Sequence, residues 1–105
     1  MHILSADKNA LDLSGECAWI AANHSMKCIK GAKFVSTSHR YKVAELNKAA
    51  QQGVLKGKYE GIGDIANSLH QNAYESNIPA GTLRAKIRKV LDFANDILDE
   101  NISYS

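Results

Sequence analysis

With 105 residues, 45% of them hydrophobic and 23% charged, the chain has the size and makeup of one folded domain with a buried core, not of a disordered or low-complexity segment. A formal charge of +2 permits contact with nucleic acid without arguing for it. Two cysteines, Cys17 and Cys28, and no secretory pattern at the start predict reduced thiols in a cytoplasmic setting. No apolar run approaches the roughly 18 residues of a membrane span.

Met1 to Leu4 is short and apolar, a strand or a plug over the core. Ser5 is an N-cap candidate, with Asp7 in the first turn behind it. Leu13, Cys17, Ile20 and His24 then recur at helical steps, predicting a first helix from about Ala6 or Ser14 to Asn23 with that stripe turned inward. Gly15 is a point where this helix can divide in two. Ala18 and Trp19 fall off the stripe, so Trp19 is either buried on a second side or exposed at a contact surface.

Lys27 to Val35 alternates polar and apolar residues around Lys30-Gly31, which predicts a minor β-hairpin near residues 27–35, supported by the surrounding helices. Ser36-Thr37-Ser38 offers capping oxygens for a helix from His39 to about Gln52, with Val43, Leu46 and Ala50 inward and Gly53 as its stop. The glycine-bearing stretch from Val54 to Gly63 is a connection. Ile62, Ile65, Ala66, Leu69 and Ala73 mark a helix from about Glu60 to Ser76, which Asn77 ends in the left-handed conformation.

Pro79, the only proline, suits the first turn of the last helix, where its missing N–H has no partner to lose. Leu83, Ile87, Val90, Ala94 and Ile97 form its apolar stripe, and Leu91, Leu98 and Ile102 a second line beside it. Residues 102–105 are expected to fray. The sum is a mainly α, compact bundle of four to five helices with a long C-terminal helix, one domain spanning residues 1–105.

The charges of that last helix run against its dipole. Arg84, Lys86, Arg88 and Lys89 lead and Asp92, Asp96, Asp99 and Glu100 follow, whereas a lone helix favours the opposite order by about 0.3–1 kcal/mol per exposed charge. Arg88 and Asp92, four apart, are spaced to offset part of this as a pair. A basic leading half is what a helix needs to face phosphates, although a charge run is more often a solvated face.

No catalytic or metal-binding set emerges. Cys17, His24, Cys28 and His39 lack any zinc spacing or CxxC knuckle, and nothing marks either cysteine as an activated nucleophile. The glycines between Gly57 and Gly63 match no phosphate-binding loop. The expectation is therefore a protein that is not an enzyme and uses no cofactor and no metal.

One constellation remains. Ala73, Asn77, Ile78, Leu83 and Ile87 supply a small residue inside one helix, a break, an apolar plug and apolar positions in the next helix. The segment NIPAGTLRAKIRK, within Ala73–Lys89, resembles the turn and recognition helix of helix-turn-helix DNA-binding proteins. Asn72 and Ser76 depart from that pattern by being polar where apolar residues are usual, and Asn77 stands in place of the favoured glycine. The resemblance implies a small transcriptional regulator that binds duplex DNA through Thr82, Arg84, Lys86, Arg88 and Lys89, with Ala80 and Gly81 beside them, as a homodimer joined along Leu91, Leu98 and Ile102. The alternative is a helical regulator or inhibitor of another protein, of antirepressor, antitoxin, immunity or anti-defence type. Trp19, Tyr74, Leu91, Leu98 and Ile102 are then its contact residues.

Overall fold

In the computed structural model, which describes residues 2–30, 38–51 and 57–100, those residues form four helices and no strand. They are α1 (His2–Lys30), α2 (His39–Ala49), α3 (Ile62–Glu75) and α4 (Ala80–Glu100). α1 packs along both α3 and α4, α2 leans mainly on α3, and α3 and α4 follow one another across a short turn. Asp12 meets the end of α3 and Glu16 meets His70 one turn earlier, so α1 runs antiparallel to α3 and in the same direction as α4.

α1 corrects three expectations. It starts at His2, so residues 2–4 form a helical turn and not a strand; Met1 lies outside the described residues. It passes through Gly15 unbroken, so there is no fifth helix from a split there. It also continues to Lys30, which makes residues 27–30 its last turn rather than the first arm of a hairpin; residues 31–35 lie outside the described residues. Four residues of alternation cannot outweigh a helix that already has its hydrogen bonds in register and Met26 in the core.

The inward face of α1 is also the reverse of the one expected. Leu13 is 64% exposed and Ile20 57%, and Cys17 and His24 are exposed with them. The buried face is Asp12, Gly15, Ala18, Trp19, Ala22 and Met26, which recur at the same steps of three and four. Both stripes satisfy helical periodicity, and close approach decides between them. A Cβ at Gly15 would stand 3.5 Å from Leu83 and 3.6 Å from Leu69, so small residues let α3 and α4 close on α1 together. Large side chains on that side would hold the three helices apart.

α2 and α3 meet even more tightly. A Cβ at Gly63 would fall 2.2 Å from the Val43 carbonyl oxygen, so only glycine fits there. The Gly63 N–H donates to Asn47 Oδ1 at 2.7 Å, and Asn47 Nδ2 donates to Asp64 Oδ2 at 3.1 Å. Ser38 caps α2, its Oγ accepting from the Tyr41 N–H at 3.3 Å. α2 ends at Ala49, short of Gln52; Gln52 and Gly53 lie outside the described residues.

α4 bears out its predicted stripe: Leu83, Ile87, Val90, Ala94 and Ile97 are all buried, and Phe93 joins them. The connection into α3 is pinned to this helix. Tyr59 packs edge-on to Phe93 and its hydroxyl donates to Asp96, while Lys58 Nζ sits 3.4 Å from the same carboxylate. Burial first, then the bond to Asp96, pushes the Tyr59 phenol up to about 12. The same bond holds Asp96 below the usual carboxylate range, with Lys58 adding to it.

Candidate functional site

The break between α3 and α4 is built on a buried carboxylate. Asp12 of α1 accepts from Asn72 Nδ2 at 2.7 Å and from Ser76 Oγ at 2.6 Å. Asn72, fully buried, turns its own Oδ1 to the Ile78 N–H at 2.9 Å. These are the two polar residues that depart from the helix-turn-helix pattern, and they fasten the turn to α1 instead of plugging it with apolar bulk. The left-handed residue is Ser76 (φ 51°, ψ 41°), one place earlier than the expected Asn77, and its N–H closes α3 on the Asn72 carbonyl at 2.8 Å. Ser76 is held there by its bond to Asp12, which offsets the cost of a left-handed conformation in a residue with a Cβ. Ile78 is half-buried against the core, Ala73 is half-buried, and the Pro79 carbonyl accepts the first helical bond of α4 from Leu83 at 2.8 Å.

Past the turn, Gly81, Thr82, Arg84, Ala85, Arg88 and Lys89 are exposed. Among the described residues no acid forms an ion pair with Arg84, Arg88 or Lys89, and the spacing-based pair of Arg88 with Asp92 is not made. Lys86 differs. It is half-buried and donates to Ser68 Oγ of α3 at 3.1 Å, so its role here is to tie the two helices together.

Beside this basic segment lies an apolar groove between α1 and α4. Ile87 and Leu91 form one wall and Leu13, Ser14, Cys17 and Ala21 the other. It opens directly onto Arg84 and Arg88, which border the adjoining hollow over Leu11 and Ser14. Leu91 is 40% exposed and Leu98 farther along α4 is 53% exposed, as their assignment to a contact surface requires. Tyr74 is 78% exposed and shares a shallow cleft with Leu13 on the other flank of α1. Ile102 lies outside the described residues.

Trp19 is the correction in this set. At 5% exposure it is a core residue, not a surface contact. Its indole stacks on the rings of His39 (centroids 5.6 Å apart, planes within 4°) and His70 (5.3 Å). The two imidazoles lie 4.8 Å apart, Tyr74 meets His70 edge-on, and Glu16 holds His70 Nδ1 at 2.8 Å. An ionised carboxylate only accepts, so Nδ1 of His70 carries a proton and donates it to Glu16. This cluster joins α1, α2 and α3 and was missed from the sequence. Its only linear traces are Glu16–Trp19 and His70–Tyr74 at helical spacing, and neither announces that the two pairs meet. Among the described residues no group of three or more His, Cys, Asp or Glu side chains is placed to hold a metal ion.

Taken together, these features define a small helical protein whose exposed chemistry is a fastened α3–turn–α4 unit and an apolar groove bordered by arginines. Among the described residues no helix is long and apolar enough to cross a membrane. Comparison with known proteins finds no matching family, no similar curated protein and no similar solved structure.

Proposed function

We propose that this protein is a recognition module that binds another polypeptide in the α1–α4 groove. The observation that carries the reading is one of placement. Large apolar side chains that a solitary domain would bury, Leu13 and Leu91, stand exposed beside two arginines that no acid of the described residues neutralises. An apolar floor with an arginine rim is the anatomy of a protein interface, where arginine is enriched and scattered lysine is not. The matching partner is an amphipathic helix with acidic residues at one edge, as an inhibitor or regulator of another protein would meet. A photo-crosslinking residue in place of Leu91 tests this. Specific adducts, lost when Leu13 is changed to Glu, are expected; no adduct to any protein, either alone or in a native extract, refutes it.

A second reading has an observation of its own. Arg84, Arg88 and Lys89 surround the small residues Gly81 and Ala85 at the exposed start of α4, so the backbone there has room to approach a duplex. Under this reading the α3–turn–α4 unit binds DNA, with Thr82, Arg84, Arg88 and Lys89 on phosphates or bases. It ranks second because Lys86 is engaged with Ser68 and Asp92 stands one turn from Arg88. Gel-shift binding that weakens steeply with salt, and loses about one unit of salt slope per arginine removed, would place it first.

A further inference from the structure

Resting on the groove as a binding surface, we propose that its occupant is a second copy of this chain, with the two α4 helices antiparallel. Arg84, Arg88, Leu91 and Asn95 of α4 are exposed and line the hollow beside the groove, with Asp92 at its edge, and exposed Leu98 continues their steps of four and three along the helix. That is the seam spacing of a helix that pairs with another helix, laid on the side of α4 that the monomer leaves open. The core stripe of Leu83, Ile87, Val90, Ala94 and Ile97 is a separate face already used by α1 and α3. One helix thus carries two helical stripes, and among the described residues only one of them is packed against a partner.

The charges choose the partner. Arg84, Arg88 and Lys89 occupy the leading half of α4, while Asp92 and Asp99 are exposed on its trailing half and form no ion pair among the described residues. Asp96, the acid between them, is already engaged by Tyr59 and Lys58. Leu91 lies at the middle of Ala80–Glu100. Turning one α4 end for end against another about Leu91 brings the cations of each copy over the acids of the other, across a centre of leucine. A parallel pairing would set arginine against arginine and aspartate against aspartate. The same two-fold explains why the charges run against the helix dipole. Each cationic start then lies beside the negative end of its neighbour, so the order that costs a lone helix stabilises the pair. Leu13 of α1 lines the groove and adds exposed apolar area on the same side.

The test uses charge reversal in two halves, read by size exclusion with light scattering. The wild type is expected at twice the chain mass at high micromolar concentration. Arg84→Glu/Arg88→Glu is expected to be monomeric, and so is Asp92→Lys/Asp99→Lys, because each variant sets like charges opposite one another, weakening self-association by at least about tenfold. An equimolar mixture of the two restores the dimer, because the reversed charges of one meet the reversed charges of the other and the native charges meet the native. That rescue also shows both variants to be folded. A wild type that remains monomeric, or reversed variants that dimerise as well as the wild type, overturns the second copy as occupant. The crosslinker at Leu91 separates that failure from failure of the groove. Adducts to a different protein with none to itself leave the groove standing, and no adduct at all removes both.

Discussion

Replacing Asp12 with alanine takes away the acceptor that holds the α3–α4 turn, and the structure sets the size of the effect. The carboxylate is buried and accepts from two donors, the Asn72 amide at 2.7 Å and the Ser76 hydroxyl at 2.6 Å. A hydrogen bond to a charged group contributes about 1.5–3 kcal/mol, and a buried donor left without a partner costs its own desolvation. Asn72 is fully buried and cannot turn to water, so the expected loss is about 3–5 kcal/mol. Against a typical total of roughly 5–15 kcal/mol, this is a large part of the stability. At roughly 4–6 °C per kcal/mol for a chain of this size, the midpoint of thermal unfolding falls by roughly 15–25 °C. Urea unfolding followed by circular dichroism should show the loss with an unchanged slope. Asn72→Ala frees the Ile78 N–H as well, and the double variant should fall short of the summed single losses by at least about 1 kcal/mol, because the two residues share one network. If Asp12→Ala costs less than about 1 kcal/mol and amide exchange at Ile78 is unchanged, the carboxylate does not hold the turn.

Three further outcomes follow from named contacts. The raised phenol of Tyr59 means that the neutral ring is favoured in the folded state, so its contribution is complete below about pH 10 and is lost as pH rises towards 12. Stability should fall across that window by up to about 3 kcal/mol, and Tyr59→Phe should remove the dependence; a drop of equal size in that variant refutes the assignment. The lowered carboxyl of Asp96 acts at the other end, with a contribution present above its ordinary range and lost as pH falls through its depressed value, so Asp96→Asn should flatten the acid limb of an acid titration of stability. Gly63→Ala, which drives a Cβ onto the Val43 carbonyl, should cost more than about 2 kcal/mol, whereas Gly81→Ala on the open start of α4 should stabilise by up to about 1 kcal/mol. Equal effects of the two in thermal unfolding would contradict the packing described for α2 and α3.

α4 was legible from the sequence because everything needed to place it is local. A lone proline sets its start, and five apolar residues at helical steps leave one face to bury. Ile62, Ala66 and Leu69 fixed α3 in the same way, and the run Ser36-Thr37-Ser38 marked the start of α2, with the structure selecting Ser38 as the cap. The basic order of Arg84, Arg88 and Lys89 was also plain in the chain, as was its conflict with the helix dipole. What linear pattern could not supply was which of two periodic stripes on α1 faces inward. Side-chain size pointed to Leu13 and Ile20, but the fold needs Gly15, Ala18 and Ala22 inside, where three helices come within touching distance.

The same limit governs the polar residues. Asn72 and Ser76 look like faults in a turn until Asp12, sixty residues away from Asn72, is brought beside them. Trp19 lies off its expected stripe until His39 and His70 close over it. Periodicity records how a residue relates to its neighbours a few places along the chain, and that is enough to determine the helices. Which faces meet, which charges stay unpaired and where apolar surface is left over depend on distances between segments far apart in sequence, and only tertiary packing sets those.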